Sequence, residues 1–243
     1  MKLVEFALDF QNIKEDEVYI ASLIKENGCD IDEAINRFWN EIGRWKRREL
    51  ENQTKCITSF FARFLGCINT KDTKKLLIKC VPKVQGKAIL TFSGGFCDVQ
   101  VPFDYDYFIL LDDLGKKKLT LETLMKGIRM VAADKSWDME PFERTYVAIV
   151  EAGYKNEWIW KKAVRSRDKK HTASVFLRHE ISEIEIFLII GDNKGIEIFR
   201  EKIISELPSE WAYSEHLGEI KWLDSNKVAL VNKKKDKEWV IDF

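Results

Sequence analysis

The chain predicts an α+β fold, with antiparallel sheets packed by helices and a helical N-terminal region. Three observations carry that prediction. Apolar residues recur at helical spacing through residues 30–65, the period changes to two near Lys75, and strands then come in runs joined by tight turns. Strict alternation of strand and helix would have favoured a parallel sheet instead. Four prolines and twelve glycines in 243 residues that are 45% hydrophobic describe a folded chain, not a disordered or collagen-like one.

Residues 2–9 alternate, with Val4, Phe6 and Leu8 on one face of a first strand. Asp30 and Glu33 have capping-box spacing and open a helix with the seam Ile31, Ile35, Phe38, Ile42 and Trp45. Arg44, Lys46, Arg47 and Arg48 crowd its end, where cations favour a helix C-terminus. Ile57, Phe60, Phe61, Phe64 and Leu65 form a second amphipathic run closed by Gly66. Periodicity leaves open whether one helix spans 30–65. From Lys75 the pattern alternates through Leu76, Ile78 and Cys80, a turn at 84–87, then Ala88, Leu90 and Phe92. After Ser93-Gly94-Gly95, odd positions from Cys97 to Tyr107 are mostly apolar and even ones carry Asp98, Gln100, Asp104 and Asp106. Pro102 marks that strand as an edge or a bulge, within an expected set of three or four antiparallel strands.

Thr120 caps a helix bearing Leu121, Leu124, Met125, Ile128 and Val131. Pro141 opens another with Phe142, Tyr146, Ile149 and Val150, ended by Gly153. Strands are expected at 156–165, 172–179 and 183–190. Asp192 is the expected cap of a helix with Ile196, Phe199, Ile203 and Leu207, though Ile196/Ile198 alternation leaves a strand open. Three short strands follow at 218–223, 227–232 and 238–243. The expected organisation is one compact two-lobed body: 1–115, helices plus strands, and 116–243, a helix pair plus sheet. Gly115-Lys116-Lys117-Lys118 is its most polar boundary.

Forty basic side chains balance forty acidic ones, which argues against a dedicated nucleic-acid binder. No apolar run reaches the roughly 18–20 residues of a membrane span, and Glu5 and Asp9 interrupt the N-terminal apolar stretch. The expectation is a soluble cytoplasmic protein. Five cysteines, none spaced C-x-x-C, read as reduced thiols and not as zinc ligands. Histidines are few, and no nucleophile elbow or glycine-rich phosphate loop is present; neither catalytic residues nor a metal or other cofactor is assigned.

Charge is segregated along the chain. Asp98, Asp104, Asp106, Asp112 and Asp113 lie in a stretch without Lys or Arg, among Phe103, Tyr105, Tyr107 and Phe108. Such a patch is either a solvated strand face kept acidic for solubility or a surface that steers and pairs with basic groups on a protein, tyrosines supplying contact area if exposed. The alternative is a Mg²⁺-dependent nucleotidyltransferase-like enzyme: Gly94-Gly95 precedes Asp104-Tyr105-Asp106, with Glu183 or Glu185 as the third carboxylate. Only eight residues separate Gly95 from Asp104, too few for a phosphate-cradling loop and helix. Residues 155–179 hold eight cations against Glu157 and Asp168, with Trp158 and Trp160 on one face; the simpler reading is a solvated hairpin tip over core tryptophans. The following residues, Glu180 to Glu215, carry nine acids against three bases, so adjacent strands of opposite charge should pair across the sheet.

Over residues 100–200 the organisation is familiar. Phe103-Asp104-Tyr105-Asp106-Tyr107 runs through Lys116-Lys117-Lys118 into Leu121-Glu122-Thr123-Leu124, then Asn156-Glu157-Trp158, Ser166-Arg167-Asp168-Lys169-Lys170 and Glu183-Ile184-Glu185-Ile186. This resembles the immunity proteins encoded beside polymorphic toxins in bacteria. The resemblance concerns organisation, not an invariant residue set. It implies a non-catalytic, stoichiometric inhibitor whose partner is a cognate protein toxin. On the residue reading, Asp104, Tyr105, Asp106, Tyr107, Asp112 and Asp113 are the expected partner-binding residues.

Overall fold

A computed structural model describes residues 1–10 and 17–243, and the fold is α+β. The chain divides into two compact units, Met1–Tyr154 and Lys155–Phe243. The division expected near Gly115 falls instead inside a helix, and both helices of the pair belong to the first unit. Lys116–Lys118 lie inside that helix and not in a linker: Lys116 lies over the Phe108 ring, Lys117 is buried and Lys118 is exposed.

In the first unit, β1 (Lys2–Leu3) and β2 (Glu5–Phe10) split the predicted first strand at Val4, which is exposed while Phe6, Leu8 and Phe10 are buried. Helices α1 (Glu17–Asn27), α2 (Ile31–Phe38) and α3 (Arg44–Leu65) follow. The Asp30 carboxylate accepts from the Glu33 N–H, as its spacing predicts, whereas the Glu33 side chain turns to Arg37. A π turn, Trp39–Gly43, joins α2 to α3, so the helical path is continuous. The wide turn shifts the helix phase, leaving Trp45 exposed although its spacing placed it in the buried seam; Ile31, in the first turn of α2, is exposed as well.

Short β3 (Ile68–Asn69) pairs with β1, and β4 (Lys75–Val81), β5 (Ile89–Phe92) and β6 (Phe96–Pro102) complete a sheet of order β2-β4-β6-β5. Only β5–β6 is antiparallel; β2–β4 and β4–β6 are parallel, correcting the purely antiparallel expectation. The reason is topological: the helices between β2 and β4 form a crossover, which returns the chain in the same direction. Phe6, Leu8, Ile78, Val99 and Val101 bury one face of this sheet. Helix α5 (Asp113–Lys135) lies so close that a Cβ on Gly127 would stand 2.4 Å from Ile78 Cδ1. Asp112 caps α5, eight residues before the expected Thr120, whose hydroxyl bonds back to the Lys116 carbonyl within the helix. Helix α6 (Glu140–Glu151) has Pro141 in its first turn, as predicted.

The second unit is sheet on sheet. Strands β7 (Asn156–Ile159), β8 (Val164–Arg165), β9 (Thr172–His179), β10 (Ile184–Gly191) and β11 (Glu197–Glu206) form one antiparallel sheet. After the short α7 (Glu210–Tyr213), β12 (Glu219–Trp222), β13 (Lys227–Val231) and β14 (Glu238–Asp242) form a meander. Leu177, Ile186 and Leu188 of the first sheet share a core with Trp222, Leu230 and Ile241 of the second. The helix expected after Asp192 is absent. Its carboxylate accepts from the Lys194 and Ile196 amides, closing a turn into β11, so the alternating reading prevails there. Cross-strand charge pairing is as expected: Arg178 stands opposite Glu157 on β7 and Glu185 on β10, and ion-pairs with both.

Candidate functional site

The acidic segment folds differently from the strand its alternation predicts. Strand β6 ends at Pro102, which has no N–H to extend a ladder. Asp104 then caps α4 (Tyr105–Leu110), accepting from the Tyr107 N–H at 2.9 Å. Asp112 accepts from the Gly115 N–H at 2.7 Å and starts α5. Asp104 and Asp106 therefore do not share a strand face. The competition was between two periods, and two aspartates placed to cap helices decided it.

The six expected partner-binding residues separate into two groups. Tyr105 is 6% exposed: its ring stacks on Phe10 at 4.6 Å, its hydroxyl donates to Glu49, and Lys46 lies over its face. Burial, with the adjacent Glu49 carboxylate, pushes its phenol well above the ordinary tyrosine value. It is a core residue, and its expected place at the surface is corrected. Asp104, Asp106, Asp112 and Asp113 are exposed, and Tyr107 is 56% exposed.

Sequence reasoning missed two neighbours. Leu110 is 85% exposed and Leu114 is 45% exposed. Tyr107 and Leu110 are three residues apart on α4 and share its outer face. The α4–α5 knuckle thus carries exposed apolar side chains in the same short segment as four exposed carboxylates. The signal was available: Leu110 breaks the odd-position pattern, so on a strand it would have pointed to the wrong face.

Asp98 lies apart, on β6, where its carboxylate is 3.7 Å from Lys79. Gly94 and Gly95, at φ of 85° and 86°, make the β5–β6 hairpin turn. Glu185 is held by Arg178 and Lys202. Among the described residues no three His, Cys, Asp or Glu side chains are grouped to hold a metal ion. The geometric basis for the nucleotidyltransferase-like arrangement, two carboxylates on one strand, is missing.

A cleft of about 600 Å³ opens elsewhere in the first unit, lined by Thr70, Asp72, Lys135, Trp137 and Asp138 among others. Lys135 donates to Asp72 at 2.6 Å, and that bond holds the Asp72 carboxyl below its ordinary value. The two charges satisfy each other. In the second unit, Lys161 lies 4.0 Å from the Trp160 ring centre, while Trp158 and Trp160 pack against the core. This matches the reading of core tryptophans beneath a charged hairpin. Among the described residues no helix is long and apolar enough to cross a membrane. Comparison with known proteins finds no matching family model, no matching curated protein and no matching solved structure.

Proposed function

We propose that the chain is a non-catalytic protein-binding module that captures a basic protein partner through the α4–α5 knuckle. Acting in the cytoplasm of a bacterium, it would serve as an immunity protein, neutralising a cognate toxin by stoichiometric binding. One observation supports this reading above the others: Tyr107, Leu110 and Leu114 are exposed together among Asp104, Asp106, Asp112 and Asp113. An apolar centre with a charged rim is how protein interfaces are built, and carboxylates in the rim accelerate encounter with a basic surface. An inhibitor of this kind covers the toxin's active site or substrate surface and needs no turnover.

The test begins with affinity capture of the tagged chain from its native cytosol. A single stoichiometric partner whose toxicity the chain suppresses on co-expression is the expected outcome. Joint replacement of Asp104, Asp106, Asp112 and Asp113 by Asn should then weaken binding and flatten its salt dependence. Asn also caps helices, so the variant removes charge while keeping α4 and α5. Unchanged affinity at low salt would remove the knuckle from the reading. Thermal stabilisation by Mg²⁺ with a nucleotide would overturn the non-catalytic assignment.

A further inference from the structure

The cleft of about 600 Å³ lies at the far end of α5 from the knuckle, about 30 Å along the helix axis. One wall is the β3–β4 connection, and the other is the end of α5 with the loop into α6. The ion pair between Lys135 and Asp72, at 2.6 Å, ties the two walls together. The protein itself therefore sets the shape of the cleft, and its volume is that of a small-molecule site.

Its aromatic surface is fixed in place. Ser136 ends α5 in the left-handed region, at φ of 55°, and the Trp137 amide bonds back to the Ala132 carbonyl at 3.0 Å. The indole stacks on Phe142, with 6.0 Å between ring centres and 15° between planes. Phe142 is fully buried, so it anchors the Trp137 ring from the core while that ring lines the cleft.

The polar groups around Trp137 divide by chemistry. The carboxylates of Asp134 and Asp138 only accept, Lys71 and the indole N–H only donate, and the Asn69 amide does both. Asp138 uses one oxygen for the Glu140 amide, which leaves the second. Among the described residues, the side chains of Asn69, Lys71 and Asp134 and the Trp137 indole N–H have no hydrogen-bond or ion-pair partner. This mixture selects a class of ligand. A phosphate or carboxylate only accepts and would meet two carboxylates, whereas an ammonium group only donates and would meet Lys71. A hydroxyl donates and accepts, so it satisfies both sets. Hydroxyls arranged round a ring with an apolar C–H face match an aromatic surface bordered by such groups.

We propose that the cleft binds a short neutral saccharide. One sugar ring lies against Trp137, and its hydroxyls donate to Asp134 and Asp138 and accept from Lys71. The inference goes beyond partner capture at the knuckle, and neither reading depends on the other.

Saturation-transfer NMR of the full chain tests it, with millimolar di- and trisaccharides of glucose, galactose, mannose and N-acetylglucosamine. At least one saccharide is expected to bind, with the strongest transfer to its ring C–H protons. Asp134→Ala and Lys71→Ala, both at exposed positions, should each weaken that binding about 10-fold. Trp137→Ala should weaken it about 10–100-fold. Because that change also removes the packing on Phe142, the two exposed variants carry the test if it unfolds. The chain with the four knuckle aspartates replaced by Asn should bind the sugar as the parent does. Absence of transfer to every saccharide would overturn the proposal. Affinity unchanged by both Asp134→Ala and Lys71→Ala would do the same. Thermal stabilisation by spermidine or inorganic phosphate, with no sugar bound, would reassign the cleft to an ion.

Discussion

At the scale of single residues, identity mattered less than surroundings. Asp9 stands on β2 with Arg47 at 2.8 Å and Lys79 at 2.9 Å. Burial alone would push its carboxyl up, but the hydrogen bonds from Arg47 and Lys79 outweigh it and the value falls below 3.8. A folded value below the unfolded one means the stabilisation is complete above the ordinary carboxylate range. It is lost as pH falls through the lower folded value. Asp9→Asn should cost about 1–2 kcal/mol at neutral pH, and the deficit should shrink in acid. Urea unfolding of both chains at pH 7 and in acid measures this; a deficit constant with pH would contradict the linkage. Tyr105 and Tyr107 make a second contrast. Tyr105→Phe should lower stability by about 1 kcal/mol and leave partner binding intact. Tyr107→Ala should do the reverse. Alternation put both tyrosines on one face, and a change of period after Pro102 separated them.

At the scale of elements, caps and close approaches carried the outcome. Asp104 and Asp112 hold the starts of α4 and α5, converting a predicted acidic strand into a protruding knuckle. Gly127 is the other decisive position. In an isolated helix, Ala would be favoured over Gly by about 1 kcal/mol. Here the added methyl would collide with Ile78 and crowd Val99 at 3.1 Å. Gly127→Ala should therefore lower stability by about 1–3 kcal/mol in chemical denaturation. A stabilised variant would show that the helix–sheet contact is looser than described. Most strands of the second unit were legible because they lie in local antiparallel hairpins and a meander, so alternation and turns sufficed; β11, expected as a helix, was the exception. The parallel pairs of the first unit were not, since β2 and β4 lie about seventy residues apart and no local pattern encodes their direction.

At the scale of the whole molecule, two cores stand in place of disulfides. Cys56, Cys80 and Cys97 are buried, Cys29 is partly covered and Cys67 is exposed. Burial pushes the Cys80 thiol far above its ordinary value, and that of Cys97 upward as well. A thiol reagent should label Cys67 first and Cys29 more slowly, reaching the remaining three only in denaturant. Reductant should leave the unfolding midpoint unchanged. Rapid labelling of Cys80 in the folded protein would show that its core opens readily. The neutral total charge likewise conceals structure, since the aspartates of 104–113 are exposed together while many other charges are ion-paired across strands and helices. The β9–β10 ladder of Arg178 and Glu185 was readable as strand pairing, whereas the exposure of Trp45 was not.

What the sequence determined by itself was the α+β class, most strand positions, the Asp30 cap and the acidic segment as a distinctive surface. These follow from composition and from periods that extend over only a few residues, where side-chain pattern and backbone preference agree. The tertiary structure alone decided three things: the parallel register of β2 and β4, the burial of Tyr105, and the exposure of Trp45. Each depends on contacts between residues distant in sequence, or on a helix phase shifted by one wide turn. Local propensity carries no information about which distant groups will meet.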